Sequence, residues 1–387
     1  MLGDLKARQQ AWAAIGLLVG VMLTTWNLFF VAPDFFRQYA VRNDLRLAYG
    51  AALVGLRDGY GRLYDLAAQK EAILSLGAGF NPQPFISPPP LAWLVTPLVA
   101  LPFQAALILW TVLLMAALLW TWYVLAPGHR LTRFAHLALL LGLFPVAFGV
   151  MVGQPGALVA AGVATAWWLL RGGRGVLAGV ALSFMVLKPQ LALLVPLCLL
   201  VAGYRKPFFV WLGASVIIVL VALALLGVDG VARYREVLAQ TQTPAWDITR
   251  RYSISGPLGL GLLLTVTQGL VLVITFAAAW RHRRQGPELP IAAGIVGSLL
   301  FTPYLGFQDF LMLMVAGWLV IRAGPSAWQV GLLVVGYGLL ELSLLVLAVP
   351  ILLAEAALLL TILMSEGRDS KTGADYAIGK NEQRVEN

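Results

Sequence analysis

Apolar residues in this chain do not alternate with polar ones. They run in long blocks, and the short stretches between the blocks hold most of the charge. A helix needs roughly 17–25 apolar residues to cross a bilayer. Blocks of about that size or somewhat shorter fall near 11–31, 104–126, 134–151, 156–170, 175–187, 190–203, 208–226, 257–280, 289–301, 309–321, 327–344 and 346–364. The pattern predicts an all-α, polytopic membrane protein with roughly twelve transmembrane helices. Residues 1–364 are expected to form a single integral-membrane domain. The first block, Ala11 to Val31, is too long for the core of a cleaved signal peptide and has no clear small-residue cleavage site after it, so it reads as a permanent span.

Charge gives the blocks an orientation. The chain is 60% hydrophobic and 12% charged, against roughly 25% charged in soluble domains. The net charge of +9 is scattered among short loops rather than gathered on one face, which argues against nucleic acid as a partner. Lys6 and Arg8 precede the first block. Arg130 and Arg133 follow the second, Arg171 and Arg174 the fourth, Arg205 and Lys206 the sixth, Arg281, Arg283 and Arg284 the eighth, and Arg322 the tenth. If every block spans, all of these lie on one side, and the positive-inside rule makes that side cytoplasmic. Both termini are then cytoplasmic, the segment 365–387 being expected as a polar, disordered tail. The opposite side carries a long first extracytoplasmic loop, about Ala32 to Phe103, and a second from Gly227 to Gly256. It also carries the turns Gly153-Gln154-Pro155, Lys188-Pro189 and Thr302 to Asp309.

That outer side holds the candidate chemistry. His129, His136 and His282 all fall on or near the cytoplasmic side, so a general base outside is expected to be a carboxylate. The candidates are Asp34, Asp44, Asp58, Asp65, Glu71, Asp229, Glu236, Asp247 and Asp309, and none has metal-ligand spacing; no metal or other cofactor is expected. Asp44 lies between Arg42 and Arg46. Read as a helix over 41–56, the segment puts Asp44, Ala48 and Ala51 on one small-residue face that leaves the carboxylate accessible; the alternative is a solvated loop aspartate paired with its neighbours. Asp65 is placed to cap the helix carrying Ala67 to Leu76. Pro88-Pro89-Pro90 delays any helix until about the last proline, and Leu91 to Leu101 reads either as a short interfacial helix or as a broken start of the next span. Lys188, among apolar residues, is costly in lipid: it either snorkels to headgroups or binds an anion, and Gln154 offers polar atoms at a matching depth. Arg250, Arg251 and Tyr252 suit a phosphate or, equally, a lipid-headgroup anchor. Cys198, the only cysteine, excludes an internal disulfide and reads as a small buried hydrophobe. Gly16/Gly20 and Gly175/Gly179 have the spacing of close helix contacts.

The series NDLRLAYGAALVGLRDGYGRLYD, SPPPLAWLVTPLVALP with a following LW, GQPGAL, KPQLALL and TPYLGFQDFLML resembles the GT-C glycosyltransferases of family 87, which use polyprenol-phosphate sugars and include mycobacterial mannosyltransferases. The resemblance covers most of residues 30–320 in order. It implies a GT-C-like membrane fold and an inverting transfer of mannose or another hexose. The donor would be a polyprenyl-phosphate-linked sugar and the acceptor an extracytoplasmic glycan or glycolipid. It also implies Asp44 as general base, its carboxyl pKa raised by partial desolvation. Lys188, with one or both of Arg250 and Arg251, would meet the donor phosphate. Gln154, Tyr252 and Asp309 are carried as substrate-binding positions, although Gln308-Asp309 stands where the family often has an aromatic residue or histidine beside the acidic position. The rival from another class is a lipid or solute transporter, which favours midplane polar sites and internal repeats; no convincing repeat is present.

Overall fold

The computed structural model describes residues 2–33, 39–241, 243, 250–345 and 348–365. Asp34, Asp247 and the expected tail beyond Ser365 lie outside the described residues. Among those described, every regular element is helical. Backbone groups removed from water must be paired, and a helix pairs them within itself.

Each expected block is helical over most of its length, but not each is a full-length span. Among the described residues, four helices are long and apolar enough to cross a membrane alone: Gln10–Val31, Phe103–Leu125, Arg205–Gln240 and Leu262–Arg281. The pair Arg130–Gly142 and Phe144–Met151, bent by 59°, is together long and apolar enough for one more span or for a re-entrant segment. The break falls at Leu143, just before Pro145, which cannot donate to the preceding turn. The other blocks form shorter helices, including Gly156–Arg171, Gly175–Leu182, Glu288–Phe301 and Ala348–Met364. Several can be short because other helices, not lipid, surround them. Glu288–Phe301 is the clearest case: all but Phe301 of its fourteen residues are buried. It packs against Leu194–Val201, Leu262–Arg281, Leu311–Arg322 and Ala348–Met364. The outer helices show the reverse, with Ile108, Ile217, Leu262 and Leu353 all more than 60% exposed. An apolar exterior of this extent suits contact with lipid rather than water.

Close helix contacts sit where small residues permit them. The first helix, Leu2–Trp26, lies along Arg130–Gly142. A Cβ on Gly20 would stand 2.4 Å from the Ala138 carbonyl carbon, whereas one on Gly16 would meet only side chains at 3.5 Å or more. Asn27 fastens the same contact by donating to the Gly142 carbonyl at 2.8 Å. Gly179 allows a second close approach, with the Pro207 carbonyl oxygen 2.6 Å from where its Cβ would be.

The expected first loop is itself folded, into helices Tyr39–Arg42, Leu45–Asp58, Leu66–Leu74 and Pro89–Val95 with short 3-10 turns. The second loop starts as a continuation of the helix from Arg205, through a kink at Gly227 (φ 62°). Tyr64 is stacked on Tyr234 of that continuation, centroids 4.2 Å apart, and on Phe85 at 5.9 Å. Arg233 donates to the Gly61 carbonyl at 3.0 Å. The two loops thus form one cap.

Three helices have their two ends in different surroundings. The Gly156–Arg171 and Leu311–Arg322 helices begin beside Pro155 and Asp309, and the Phe103–Leu125 helix carries Trp110 in its first half. They end in a cluster where Arg322 donates to the Leu125 and Ala126 carbonyls at 2.7 and 3.1 Å, and Arg171 pairs with Glu288 at 3.4 Å. A cation over free carbonyls at helix C-termini is favourably placed.

Gly20→Ala is expected to lower the thermal unfolding midpoint in detergent, at an overpacking cost of about 1–3 kcal/mol. Gly16→Ala, which only gains helix propensity, is expected to leave it unchanged or raise it. Equal responses of the two variants would contradict this packing.

Candidate functional site

The residues that position the site begin with Asn43, which interrupts the chain between two helices. The helix expected over 41–56 is in fact split: Tyr39–Arg42 ends, and Leu45–Asp58 begins after Asp44. Asn43, fully buried, donates to the Met151 carbonyl at 2.9 Å and accepts from Leu45 N–H at 2.9 Å. Asp44 N–H donates to the Val152 carbonyl at 2.8 Å. The first loop is therefore bonded backbone to backbone onto the Gly153-Gln154-Pro155 turn. Gly153 must be glycine for two reasons. Its φ is 70°, a region that other residues rarely adopt, and a Cβ there would lie 2.1 Å from Asn43 Oδ1. Trp110 braces the turn from below, donating to the Gly153 carbonyl at 2.8 Å.

Asp44 occupies an N-terminal position but does not cap its helix. Asp65 does cap, as expected, accepting from Ala67 and Ala68 N–H at 3.1 and 3.0 Å. The Asp44 carboxylate instead accepts from Gln154 Nε2 at 2.6 Å and from Arg46 Nη1 at 3.3 Å. Of the small face expected beside it, Ala48 lines the cavity described next, while Ala51 is packed in the core.

These residues open on a cavity of about 350 Å³, lined by Asp44, Ala48, Gln83 to Pro88, Trp110, Gly153 to Pro155, Lys188, Gln190, Arg251, Tyr252, Tyr304 and Gly306 to Asp309 among others. That volume is within the usual range for small-molecule sites. One wall, the extended segment 83–88, is held by three side chains from the cap. Gln69 accepts from Phe85 N–H at 2.9 Å, Tyr64 donates to the Ser87 carbonyl at 2.7 Å, and Arg46 donates to Gln83 Oε1 at 3.2 Å.

Lys188 does not snorkel outward. A residue before proline is pushed out of helical conformation, and the chain breaks there between two short 3-10 turns (φ −155°, ψ 76°). Its ammonium donates to Gln154 Oε1 at 2.8 Å and pairs with Asp309. Asp309 is buried and also accepts from Gly306 N–H at 3.2 Å. A buried cation so paired has its charge largely answered on the spot.

Of the expected positions, Asp44, Gln154, Lys188, Arg251, Tyr252 and Asp309 all border this one cavity. Arg250 does not; it donates to the Thr243 carbonyl at 3.2 Å. Tyr252 borders the cavity mainly as packing. Its ring stands edge-on to Phe307 and Phe310, and its hydroxyl donates to the Ser343 carbonyl at 3.1 Å. Arg251 is exposed, and no described residue pairs with its guanidinium. Two carboxyl side chains, Asp44 and Asp309, and two basic ones, Lys188 and Arg251, thus line the cavity, with Arg46 behind Asp44. Asn43 is a support that sequence reading missed, whereas Arg46 was expected only as a neighbour that pairs with Asp44, which it does at 3.3 Å. Both flank Asp44 in the NDLR run, but burial is what gives them their role. No group of three or more His, Cys, Asp or Glu within metal-binding reach occurs among the described residues.

Burial pushes the Asp44 carboxyl above the ordinary 3.8. The Arg46 charge, the Gln154 hydrogen bond and the Lys188 charge oppose that shift only in part. Asn43→Ala would strand the Met151 carbonyl and Leu45 N–H. The expected cost is about 1–3 kcal/mol for each buried group left unpaired, read as a lower thermal midpoint in detergent; an unchanged midpoint would contradict the role given to Asn43.

No curated protein and no solved structure matches the chain. The model of glycosyltransferase family 87 matches residues 85–305, a segment that contains Gln154, Lys188, Arg251 and Tyr252, ends shortly before Asp309 and does not reach Asp44. The matched segment is more than half of the 387 residues, and the chain therefore belongs to glycosyltransferase family 87.

Proposed function

We propose that this glycosyltransferase moves a hexose, such as mannose, from a polyprenyl-phosphate carrier to a glycan or glycolipid acceptor on the outer face of the cell membrane, with inversion at the anomeric carbon. The observation that carries the reading is the Asp44 carboxylate. It is turned away from its own helix, held by Gln154 and Arg46, and keeps a third of its side-chain surface exposed.

The chemistry follows from the arrangement. A sugar hydroxyl is a weak nucleophile until a base takes its proton. Asp44 would take that proton as the hydroxyl oxygen bonds to the anomeric carbon of the donor sugar. The bond from that carbon to the phosphate oxygen breaks in the same step, and the electron pair leaves with the polyprenyl phosphate. The leaving group gains negative charge as it departs, so a cation aimed at it stabilises the transition state more than the ground state. Arg251 is the better candidate for that cation than Lys188, because Asp309 already answers the lysine. A guanidinium also matches a phosphate bidentately. A single displacement needs one base; of the two carboxylates Asp309 is buried against Lys188, whereas Asp44, although paired with Arg46, keeps a third of its side-chain surface exposed.

The orientation proposed for the chain puts the arginine cluster around Arg322 and both termini in the cytoplasm, and the cavity outside, in keeping with the positive-inside rule. The lipid tail of the donor would stay among the apolar helix faces.

With a radiolabelled polyprenyl-phosphate hexose and a membrane glycolipid extract, purified Asp44→Asn is expected to lose about 10²–10⁴-fold of the wild-type transfer rate. Unaltered transfer by the folded variant would sink the assignment. For the wild type, kcat/KM should fall as pH falls through the Asp44 pKa, because only the ionised form accepts the proton. Since burial raises that pKa above 3.8, the acidic limb should lie above the range of an ordinary aspartate. Arg251→Ala should cost about a hundredfold, and Arg250→Ala far less. For the orientation, Ser75→Cys should react with an impermeant thiol reagent in intact cells, against little background from the buried Cys198. Protection at Ser75→Cys with labelling at Gly172→Cys would reverse the orientation.

A further inference from the structure

We propose that Gln154 is a positioning residue whose amide couples the Asp44 carboxylate to the Lys188–Asp309 ion pair, so that the affinity of Asp44 for a proton is set partly from the far end of the chain. The inference deepens the reading of Asp44 as general base and rests on it for its catalytic meaning.

Three separate segments contribute to the coupling: the turn after Met151, the helix break at Lys188 and the turn before Leu311. Lys188 has only donors, so the Gln154 atom 2.8 Å from its ammonium must be the carbonyl oxygen. The amide nitrogen is then turned the other way, onto Asp44 Oδ2 at 2.6 Å. A flipped amide would set NH₂ against the ammonium and a carbonyl oxygen against the carboxylate, repelling at both ends. Lys188 therefore fixes the amide, and the amide fixes the carboxylate. Asp309 in turn fixes Lys188 and is itself held by the Gly306 N–H. With Gln154 on one oxygen and Arg46 on the other, the carboxylate has one orientation and free lone pairs for a substrate hydroxyl. Gln154 has both ends of its amide occupied within the protein, which sets it apart from a side chain waiting for a sugar.

Two substitutions separate this coupling from mere packing, because they act with opposite sign. Gln154→Met keeps the side-chain length but removes a hydrogen bond to the charged form of Asp44, which makes the carboxylate easier to protonate. Asp309→Asn is close to isosteric and removes the counter-charge of Lys188. The ammonium is then felt more strongly at Asp44, which becomes harder to protonate. The other ionisable groups around the cavity, Arg46, Arg251, Tyr252 and Tyr304, are the same in both variants.

The readout is independent of turnover. A carbodiimide adds to a protonated carboxyl group and rearranges to a stable acylurea, so labelling the intact purified protein against pH, followed by proteolysis and mass spectrometry of the peptide that contains Asp44, gives the titration midpoint of that residue. Relative to wild type, Gln154→Met should move the midpoint up and Asp309→Asn should move it down, each by about one pH unit. Midpoints that stay at the wild-type value, or that move in the same direction, overturn the proposal. The Asp309→Asn shift must also shrink when Gln154 is already replaced by Met, or by Leu should Gln154→Met not fold; a shift that survives there undiminished is the direct loss of the Asp309 charge rather than coupling through the amide, and overturns the proposal. If the midpoints move as stated while Asp44→Asn still transfers sugar, the coupling stands and the general-base reading falls.

Discussion

Charged groups inside an apolar bundle need partners close by, and the architecture around the cavity follows from meeting that need. Lys188 is 12% exposed and Asp309 2%. Taking either from water alone would cost several kcal/mol, and leaving one without the other would typically cost about 3–5 kcal/mol. The pair forms only if the helix break at Lys188-Pro189 faces the turn at Gly306 to Asp309. Those two segments flank the central helix Glu288–Phe301, whose Gly294 brings it against the backbone of Val195. The packing of the bundle and the electrostatics of the site are thus one constraint seen from two sides.

A similar requirement ties the first loop to the bundle. Arg46 is 4% exposed, and its guanidinium is shared among the Asn43 carbonyl, Asp44 and the 81–83 segment. This arrangement uses an arginine where a lysine would not serve, because the planar fork reaches several acceptors at fixed angles. Asn43 meanwhile fastens the loop to the turn at Gly153. The result is a carboxylate supported from below by the loop that carries it and from the side by a turn more than a hundred residues later. Burial raises its proton affinity, and neighbouring donors hold that rise in check. In the proposed reaction such a balance would suit Asp44, since a general base must be ionised before the reaction and must accept a proton during it.

The cap over the cavity is held together by ordinary packing and hydrogen bonds. Tyr64 is stacked between Phe85 and Tyr234, and Gln69 crosslinks Leu63 and Phe85 through both ends of its amide. The segment 83–88 has no regular structure of its own, yet it is held at three places. In the proposed reaction it would form a fixed wall against which an acceptor sugar lies.

Much of this protein is written in its apolar blocks. Their lengths are enough to show an all-helical membrane protein, because lipid leaves the backbone few other ways to pair its polar groups. The cap at Asp65 and the turns at Gly153 and Lys188 were also legible, since each depends on neighbours within a few residues; of the spaced glycines, Gly20 and Gly179 make close backbone contacts and Gly16 and Gly175 do not. How many blocks span alone was not, because a helix enclosed by other helices can be short, and hydropathy does not distinguish protein from lipid as its surroundings. The sequence offered Asp44, Gln154, Lys188, Arg251 and Asp309 as separate polar positions. Only the tertiary structure decided that they meet, that Lys188 is spoken for by Asp309, that Arg250 stands apart, and that Asn43 and Arg46 do the supporting. Those outcomes depend on contacts between segments distant in the chain, whose energies are set by burial and by which partner lies within hydrogen-bonding distance, and local sequence carries neither.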